Sequence, residues 1–166
     1  KNQKRKVTAT DVNFSLQRLA DEKTASPGKW VLGNVACKSD GKLDIIVSND
    51  TTVSIRLSKP FAPFLSLMSM QYCSVVPREA VEFYGKDFGH HPVGTGPFLF
   101  KYWKDGLKLV LLKNPDYFET DESGKRLPRL DGVVVTFIVE KHTAFMEFMQ
   151  GNYDMISGLD PNYKDV

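Results

Sequence analysis

The sequence has no long apolar run and no strong excess of charge of either sign. Its longest apolar stretches, such as residues 109–112 and 133–135, are far shorter than the roughly 18 residues that a membrane-spanning helix needs. Its 22 Lys and Arg side chains nearly balance 20 Asp and Glu, giving a net charge of +2. A balanced surface gives no reason to expect nucleic acid as a partner, and the basic residues 1–6 are typical of a solvated chain end.

Cysteine and histidine are also scarce. Cys37 and Cys73 lack the spacing of metal ligands and are too few for a disulfide scaffold, so we expect both to be unbridged. The neighbouring rings of His90 and His91 are expected to point apart, and His142 is isolated in the sequence. We therefore predict no metal site and no cofactor.

Motifs of nucleotide binding and of catalysis are missing too. Residues 94–96 read Gly-Thr-Gly, but Leu99 stands where a third glycine would be and Pro97 removes a backbone N–H that a phosphate would use. There is no Gly-x-Ser-x-Gly motif, and neither cysteine has the surroundings of a nucleophile. The sequence therefore predicts a protein that is not an enzyme.

The composition is that of a folded protein. The chain has 166 residues, is 42% hydrophobic, and contains 11 Phe, 6 Tyr and 2 Trp, which excludes intrinsic disorder. This length predicts one domain or parts of two, and we expect a domain boundary near residues 86–92, where a turn-rich block begins.

The first predicted element is a helix over residues 9–20. Thr8 is its expected N-cap, and Asp11 follows at the spacing of a capping box. Val12, Leu16 and Leu19 recur at helical spacing and form one apolar face.

Helices and strands are interspersed along the rest of the chain, which predicts a mixed α and β fold of the α+β class. Asp105-Gly106 between two alternating runs is a strong hairpin signal. The predicted helices are residues 61–70, 77–84 and 141–150, and the predicted strands are 43–48, 52–58, 72–76, 98–104, 107–113, 132–139 and 153–156.

Seven segments in the same order resemble the extracellular solute-binding proteins of family 5, the dipeptide- and oligopeptide-binding components of ABC importers. The most specific is Pro-Val-Gly-Thr-Gly-Pro-Phe at residues 92–98. The others are Thr-Ala-Thr-Asp-Val-Asn-Phe-Ser at 8–15, Asp-Glu-Lys-Thr-Ala-Ser-Pro at 21–27, Leu-Ser-Lys-Pro-Phe-Ala-Pro-Phe-Leu at 57–65, Val-Pro-Arg-Glu-Ala at 76–80, Asn-Pro-Asp-Tyr-Phe at 114–118, and Gly-Asn-Tyr-Asp at 151–154. In the last segment, Asn152 and Tyr153 depart from the family's Gly-Glu-Ile-Asp.

The resemblance implies a fold like that of the type II periplasmic binding proteins, in their peptide-binding class. It implies that this chain is an internal fragment, with residues 1–89 in the small extra α/β domain and residues 90–166 in part of the sheet lobe that carries one cleft wall. It also implies weak or no ligand binding by the fragment alone, and exposed apolar surface where further lobe segments pack.

The implied function is the capture of peptides, oligopeptides in particular, at the periplasmic or extracellular face of a bacterial cell membrane. The implied partners are the peptide, the ABC permease subunits and their ATPase. Contact with the membrane would come only through the permease or through a lipid anchor upstream of residue 1. Two alternatives stay open: a binder of nickel, haem or another small solute, and a peptide receptor or chaperone without a transport role.

The resemblance also indicates which residues reach the ligand. The segment after Thr-Ala-Ser-Pro maps onto Gly28, Lys29 and Trp30. The segment after the Gly-Asn-Tyr-Asp motif maps onto Ser157, Gly158 and Leu159. For Trp30 a core or lobe-interface position is the alternative, and for Ser157 and Gly158 an ordinary turn.

Overall fold

The computed structural model describes residues 5–159 and 161–163. It divides the chain into two compact units between Gly94 and Thr95, and each unit is described by itself. The assignment of the two parts to particular lobes of a larger protein stays a prediction. None of the described helices is long and apolar enough to cross a membrane.

From residue 5 onward, the first unit consists of three α-helices, a β-hairpin and four short 3₁₀ helices. The hairpin strands β1 and β2 pair antiparallel, with an irregularity between Val47 and Asn49. The elements are α1 (Ala9–Ala20), β1 (Ile45–Asn49), β2 (Thr52–Ile55), α2 (Phe64–Met68) and α3 (Arg78–Tyr84), with 3₁₀ helices at Glu22–Thr24, Lys29–Leu32, Gln71–Cys73 and Gly85–His90.

The start of α1 is fixed by the predicted cap, which an arginine reinforces. The Asp11 carboxylate accepts hydrogen bonds from the Thr8 backbone N–H at 2.9 Å and from the Arg5 guanidinium at 2.7 Å. The same guanidinium contacts the Glu79 carboxylate on α3. Arg5 therefore joins the segment before α1 to two helices, which keeps their ends together.

The core of the first unit lies under the apolar face of α1. Leu16 is 3% exposed and Leu19 is 6% exposed, so the predicted face is confirmed. Val31, in the 3₁₀ helix Lys29–Leu32, is completely buried. The remaining buried members of this cluster are Leu32, Val35, Leu43 and Ile45. Because these residues come from four separate segments, their burial holds the unit together.

The described part of the second unit contains a three-stranded antiparallel sheet and one α-helix. Its elements are β3 (Phe98–Lys104), β4 (Lys108–Lys113), β5 (Gly132–Thr136) and α4 (Lys141–Met149), with a 3₁₀ helix at Pro161–Tyr163. The strand order is β3-β4-β5. The predicted hairpin is confirmed, and Gly106 turns it at a φ of +66°.

Both faces of this sheet are apolar. Paired residues share a face, so Leu99 lies beside Leu112, and Val110 lies between Tyr102 and Val134. The opposite face carries the pairs Phe100–Leu111 and Leu111–Val133. On the first face Leu99, Tyr102, Leu112 and Val134 are each more than 40% exposed. On this face the second unit therefore has exposed apolar surface of the kind that the resemblance implied.

Two predicted strands are wrong. Residues 71–73 form a 3₁₀ helix, and 74–77 continue without a strand partner among the described residues. Residues 153–156 likewise pair with no described strand. Short apolar runs of four or five residues do not distinguish a strand from other buried segments. The helix predicted at 61–70 is confined to Phe64–Met68, after the two prolines that precede it.

Candidate functional site

A small cavity opens in the second unit, between the segment that follows β5 and the segment that follows α4. Its volume is about 190 Å³. One wall is the loop from β5 into the first turns of α4, and the other is residues 156–159. The lining residues are Ile138, Val139, Lys141, Ala144, Ile156, Ser157, Gly158 and Leu159.

The N-terminus of α4 borders this cavity and is capped from within the chain. The Glu140 carboxylate accepts hydrogen bonds from the backbone N–H groups of His142, at 2.8 Å, and Thr143. The Thr143 hydroxyl, followed by these two N–H groups, lowers the pKa of the Glu140 carboxyl. The negative charge of Glu140 is therefore directed at the helix end, where the helix dipole stabilises it.

The 3₁₀ helix at Pro161–Tyr163 is tied to α4 by one aromatic side chain. The rings of Phe145 and Tyr163 are stacked with centroids 4.4 Å apart, and Phe145 is buried. The Tyr163 hydroxyl and Nδ1 of His142 are 2.8 Å apart. These contacts hold Tyr163 against α4, shortly after residues 156–159, which form the second wall of the cavity.

The end of α4 also orients this wall. Gly151 has a φ of +76°, a conformation that glycine adopts without strain, and it ends the helix as predicted. Asn152, a departure from the family motif, donates from Nδ2 to the Glu147 carboxylate at 2.8 Å and from its backbone to the Glu147 carbonyl at 3.0 Å. The chain therefore leaves α4 in a defined direction toward the cavity.

The three site residues predicted in the second unit all line this cavity. Ser157 and Gly158 are exposed, and Gly158 has a φ of +72°. Leu159 is 46% exposed. Whether they contact a ligand remains a proposal.

Sequence reasoning missed the opposite wall of the cavity. Val139 is 97% exposed, which is unusual for an aliphatic side chain, and Lys141 is the only charged lining residue. No motif or periodicity in the sequence marks this wall.

The three site residues predicted in the first unit lie in and beside the 3₁₀ helix Lys29–Leu32. Gly28 is buried, and a Cβ atom on it would lie 2.2 Å from Cγ of Tyr72. Lys29 pairs with Glu22 at 3.6 Å. Trp30 is 58% exposed, so it is not a core residue. Lys29 and Trp30 thus offer side chains to the surface, while Gly28 permits close packing against the Tyr72 ring.

The adjacent histidines do not point apart as expected. His90 Nδ1 lies 3.2 Å from one Asp87 carboxylate oxygen, and His91 Nε2 lies 2.9 Å from the other. The residues are three and four positions after Asp87 along a helical turn, which brings both rings back to one side chain. Across the described residues, no three His, Cys, Asp or Glu side chains are placed to hold a metal ion.

Comparison with known proteins identifies the family. The family model described as "Bacterial extracellular solute-binding proteins, family 5 Middle" matches residues 4–166. The glutathione-binding protein GsiB of Salmonella choleraesuis is 26% identical over 133 residues, which cover 80% of this chain and 25% of that protein.

Two solved structures of peptide complexes have a similar fold. DppA of Helicobacter pylori in complex with the peptide STSA matches with a TM-score of 0.79 and 30% identity, covering 97% of this chain and 32% of that one. OppA of Haemophilus influenzae in complex with RPPGFSPFR matches with a TM-score of 0.82 and 25% identity, covering 95% of this chain and 32% of that one.

The chain therefore spans about a quarter of the length of the curated relatives it matches and about a third of the similar solved chains. This likeness confirms the predicted fold. The fold is mixed α and β and of the type II periplasmic-binding-protein kind, and the chain forms only part of a domain. The resemblance seen in the sequence is confirmed as well, since nearly every residue falls within the match. The chain belongs to the bacterial extracellular solute-binding proteins of family 5.

Proposed function

We propose that the chain is part of the substrate-binding component of an ABC importer, which captures peptides outside the inner membrane and delivers them to the permease. The family match over residues 4–166 carries this proposal. The peptide complexes of DppA and OppA support peptides as the ligand class, and the nine-residue ligand of OppA supports oligopeptides. The site is proposed to include Gly28, Lys29 and Trp30 in one unit and Ser157, Gly158 and Leu159 in the other.

The proposed mechanism is binding without covalent chemistry. Lobes of the complete protein close on the ligand, and the ligand favours the closed state because it makes more contacts there. In the second unit, the cavity offers a hydroxyl and an ammonium as its polar side chains. These groups suit hydrogen bonding and charge pairing with a bound ligand.

The closed protein would then dock on the permease subunits, which work with their ATPase. This places the protein at the periplasmic or extracellular face of the membrane, held there through the permease or a lipid anchor. The family's description as extracellular supports this location. The segments 1–89 and 90–166 would belong to the small extra domain and the sheet lobe.

A small non-protein solute or a short modified peptide is the second candidate ligand. The curated relatives that bind glutathione favour a short peptide of this kind. Nickel and haem are further candidates within the same family, and a receptor or chaperone without transport is the alternative role.

The test uses the complete polypeptide encoded by the reading frame that contains this chain. Isothermal titration with STSA, RPPGFSPFR, glutathione, Ni²⁺ and haem separates the ligand classes. Saturable binding of a peptide with one-to-one stoichiometry is the expected result. Binding of Ni²⁺ or haem alone would refute peptide capture. Neighbouring permease and ATPase genes are expected for an importer, and their absence would favour a receptor or chaperone.

A further inference from the structure

The exposed face of α4 carries methionine and histidine where a surface helix ordinarily carries charged side chains. Between residues 142 and 149, the exposed positions of this helix are His142, Thr143, Met146 and Met149. Met146 is 42% exposed and Met149 is 53% exposed, although methionine is usually buried. None of these four side chains is a carboxylate, an ammonium or a guanidinium.

The two methionines and the histidine lie in one row along the helix. His142, Met146 and Met149 follow one another at spacings of four and then three residues. Side chains at these spacings are neighbours, with Cβ atoms roughly 5–6 Å apart. One imidazole nitrogen and two thioether sulfurs can therefore approach a common point above Met146, the middle residue of the row.

The His142 ring is oriented by a partner on its other side. Its Nδ1 lies 2.8 Å from the Tyr163 hydroxyl, and the Tyr163 ring stacks on the buried Phe145 ring with centroids 4.4 Å apart. When Nδ1 donates to this hydroxyl, Nε2 keeps its lone pair. Histidines that bind metal ions are usually oriented in this way, by a hydrogen bond from the nitrogen that does not bind.

The carboxylates next to this row are engaged elsewhere. Glu140 accepts hydrogen bonds from the backbone N–H groups of His142 and Thr143, and Glu147 accepts one from Nδ2 of Asn152. The row therefore offers sulfur and nitrogen without oxygen. Thioethers select soft ions such as Cu(I), whereas carboxylates suit Mg²⁺, Ca²⁺ and Mn²⁺. The expectation of no metal site came from the spacing of histidine and cysteine, and methionine supplies ligands outside that pattern.

We propose that Nε2 of His142 and the Sδ atoms of Met146 and Met149 form a surface site for Cu(I). Tyr163 is a positioning residue, because it orients the His142 ring without touching the metal ion. The site is independent of the proposed capture of peptides, since none of these residues is among the proposed peptide contacts.

The test titrates Ag(I), a soft ion that stands in for Cu(I) and is stable in air, into the complete polypeptide encoded by the reading frame that contains this chain. The methionine methyl groups carry an isotope label, so that NMR reports each thioether separately. Both cysteines of this chain are replaced, as Cys37→Ser and Cys73→Ser, because thiolates bind the same ions. A second titration uses Cu(I) with oxygen excluded.

The variants remove one ligand or the positioning residue at a time. They are His142→Ala, Met146→Leu, Met149→Leu and Tyr163→Phe, and the last keeps the stacked ring but loses the hydroxyl. The matched control is Met155→Leu, which removes a methionine that is 83% exposed and lies outside α4. The Met→Leu variants also assign the methyl signals.

We expect saturable shifts of the Met146 and Met149 methyl signals with both Ag(I) and Cu(I), and no shift of the Met155 signal. Loss of His142 or of either ligand methionine should weaken binding by about tenfold or more, and Tyr163→Phe by about tenfold. Met155→Leu should leave binding unchanged. Zn²⁺ and Ni²⁺ should leave the methyl signals unmoved, because thioethers prefer softer ions.

Three results would overturn the site. They are unmoved Met146 and Met149 signals, binding that His142→Ala does not weaken, and shifts of equal size at Met155. If a variant fails to fold in a thermal melt, the methyl shifts of the protein that retains all its methionines still decide. Peptide binding is measured on the same samples, so a failure of the metal site is distinguished from a failure of peptide capture.

Discussion

Asp11 joins α1 to the segment that precedes it, and Arg5 extends this link to Glu79 on α3, so replacement of Asp11 by asparagine tests how the first unit is held together. The carboxylate accepts two bonds of 2.7 Å from the Arg5 guanidinium, one from the Thr8 N–H at 2.9 Å and one from the Thr8 hydroxyl at 3.2 Å. Asp11 is only 6% exposed. Asparagine keeps the shape of the side chain but removes the charge that strengthens these bonds.

The size of the effect follows from the pKa of the Asp11 carboxyl. Hydrogen bonds from Arg5, and then from Thr8, lower this pKa from 3.8 to about 2. Each pKa unit corresponds to about 1.4 kcal/mol, so Asp11→Asn should lower the free energy of unfolding by about 2 kcal/mol at pH 7.

The pH dependence has a definite sign. Because the pKa is lower in the folded state, the stabilisation is complete well above pH 3.8 and is lost as the pH falls through about 2. The difference between wild type and Asp11→Asn should therefore shrink to about 1 kcal/mol at pH 3 and to less than about 0.5 kcal/mol at pH 2.

Urea unfolding followed by Trp30 fluorescence measures this difference. The 166-residue chain is used, in a Trp103→Phe background that leaves Trp30 as its single tryptophan, so that the signal reports the first unit. The control is Asp40→Asn, an exposed carboxylate 3.9 Å from Lys42, which should change stability by less than about 0.5 kcal/mol. The reasoning fails if Asp11→Asn costs as much at pH 2 as at pH 7, or costs no more than the control at pH 7.

Three further predictions concern close packing and buried hydrogen bonds. Gly28→Ala should destabilise the first unit by about 1–3 kcal/mol in urea unfolding, because the new Cβ would lie 2.2 Å from Cγ of Tyr72; unchanged stability would contradict that contact. Ser15→Ala removes the hydroxyl that accepts a hydrogen bond of 2.9 Å from the Val76 backbone N–H. The Val76 amide hydrogen should therefore exchange with solvent about tenfold faster or more. An unchanged exchange rate would be evidence against this hydrogen bond. Asn114→Ala removes a buried side-chain amide that donates a hydrogen bond of 2.8 Å to the Gly96 carbonyl. We expect it to lower the free energy of unfolding of the second unit by about 1–3 kcal/mol, measured by Trp103 fluorescence. A loss below about 0.5 kcal/mol would contradict the prediction.

Local signals in the sequence predicted several elements within a residue or two of their observed bounds. The cap at Thr8, the apolar spacing of Leu16 and Leu19, and Gly151 at the end of α4 each act within one or two helical turns. Asp105-Gly106 sets a hairpin whose strands are adjacent in the chain. Such signals are readable because the interactions they report are short in sequence separation.

The candidate site was only partly predictable. The resemblance indicated Ser157, Gly158 and Leu159, which do line a cavity. Val139 and Lys141 were missed because they line the same cavity as residues 156–159 only in the folded chain, with α4 between them in the sequence. No periodicity or motif in the sequence reports a contact of that kind.

Composition, capping residues and turn residues are properties of neighbouring residues, so the sequence by itself determined the mixed α and β character, the main helices, the central hairpin and, through its motifs, the family. Only the tertiary structure decided that Gly28 lies against Tyr72 and that Lys141 borders the same cavity as residues 156–159. Each of these depends on where folded segments meet in space. That meeting is fixed by the burial of apolar side chains from distant parts of the chain, which a local pattern cannot report.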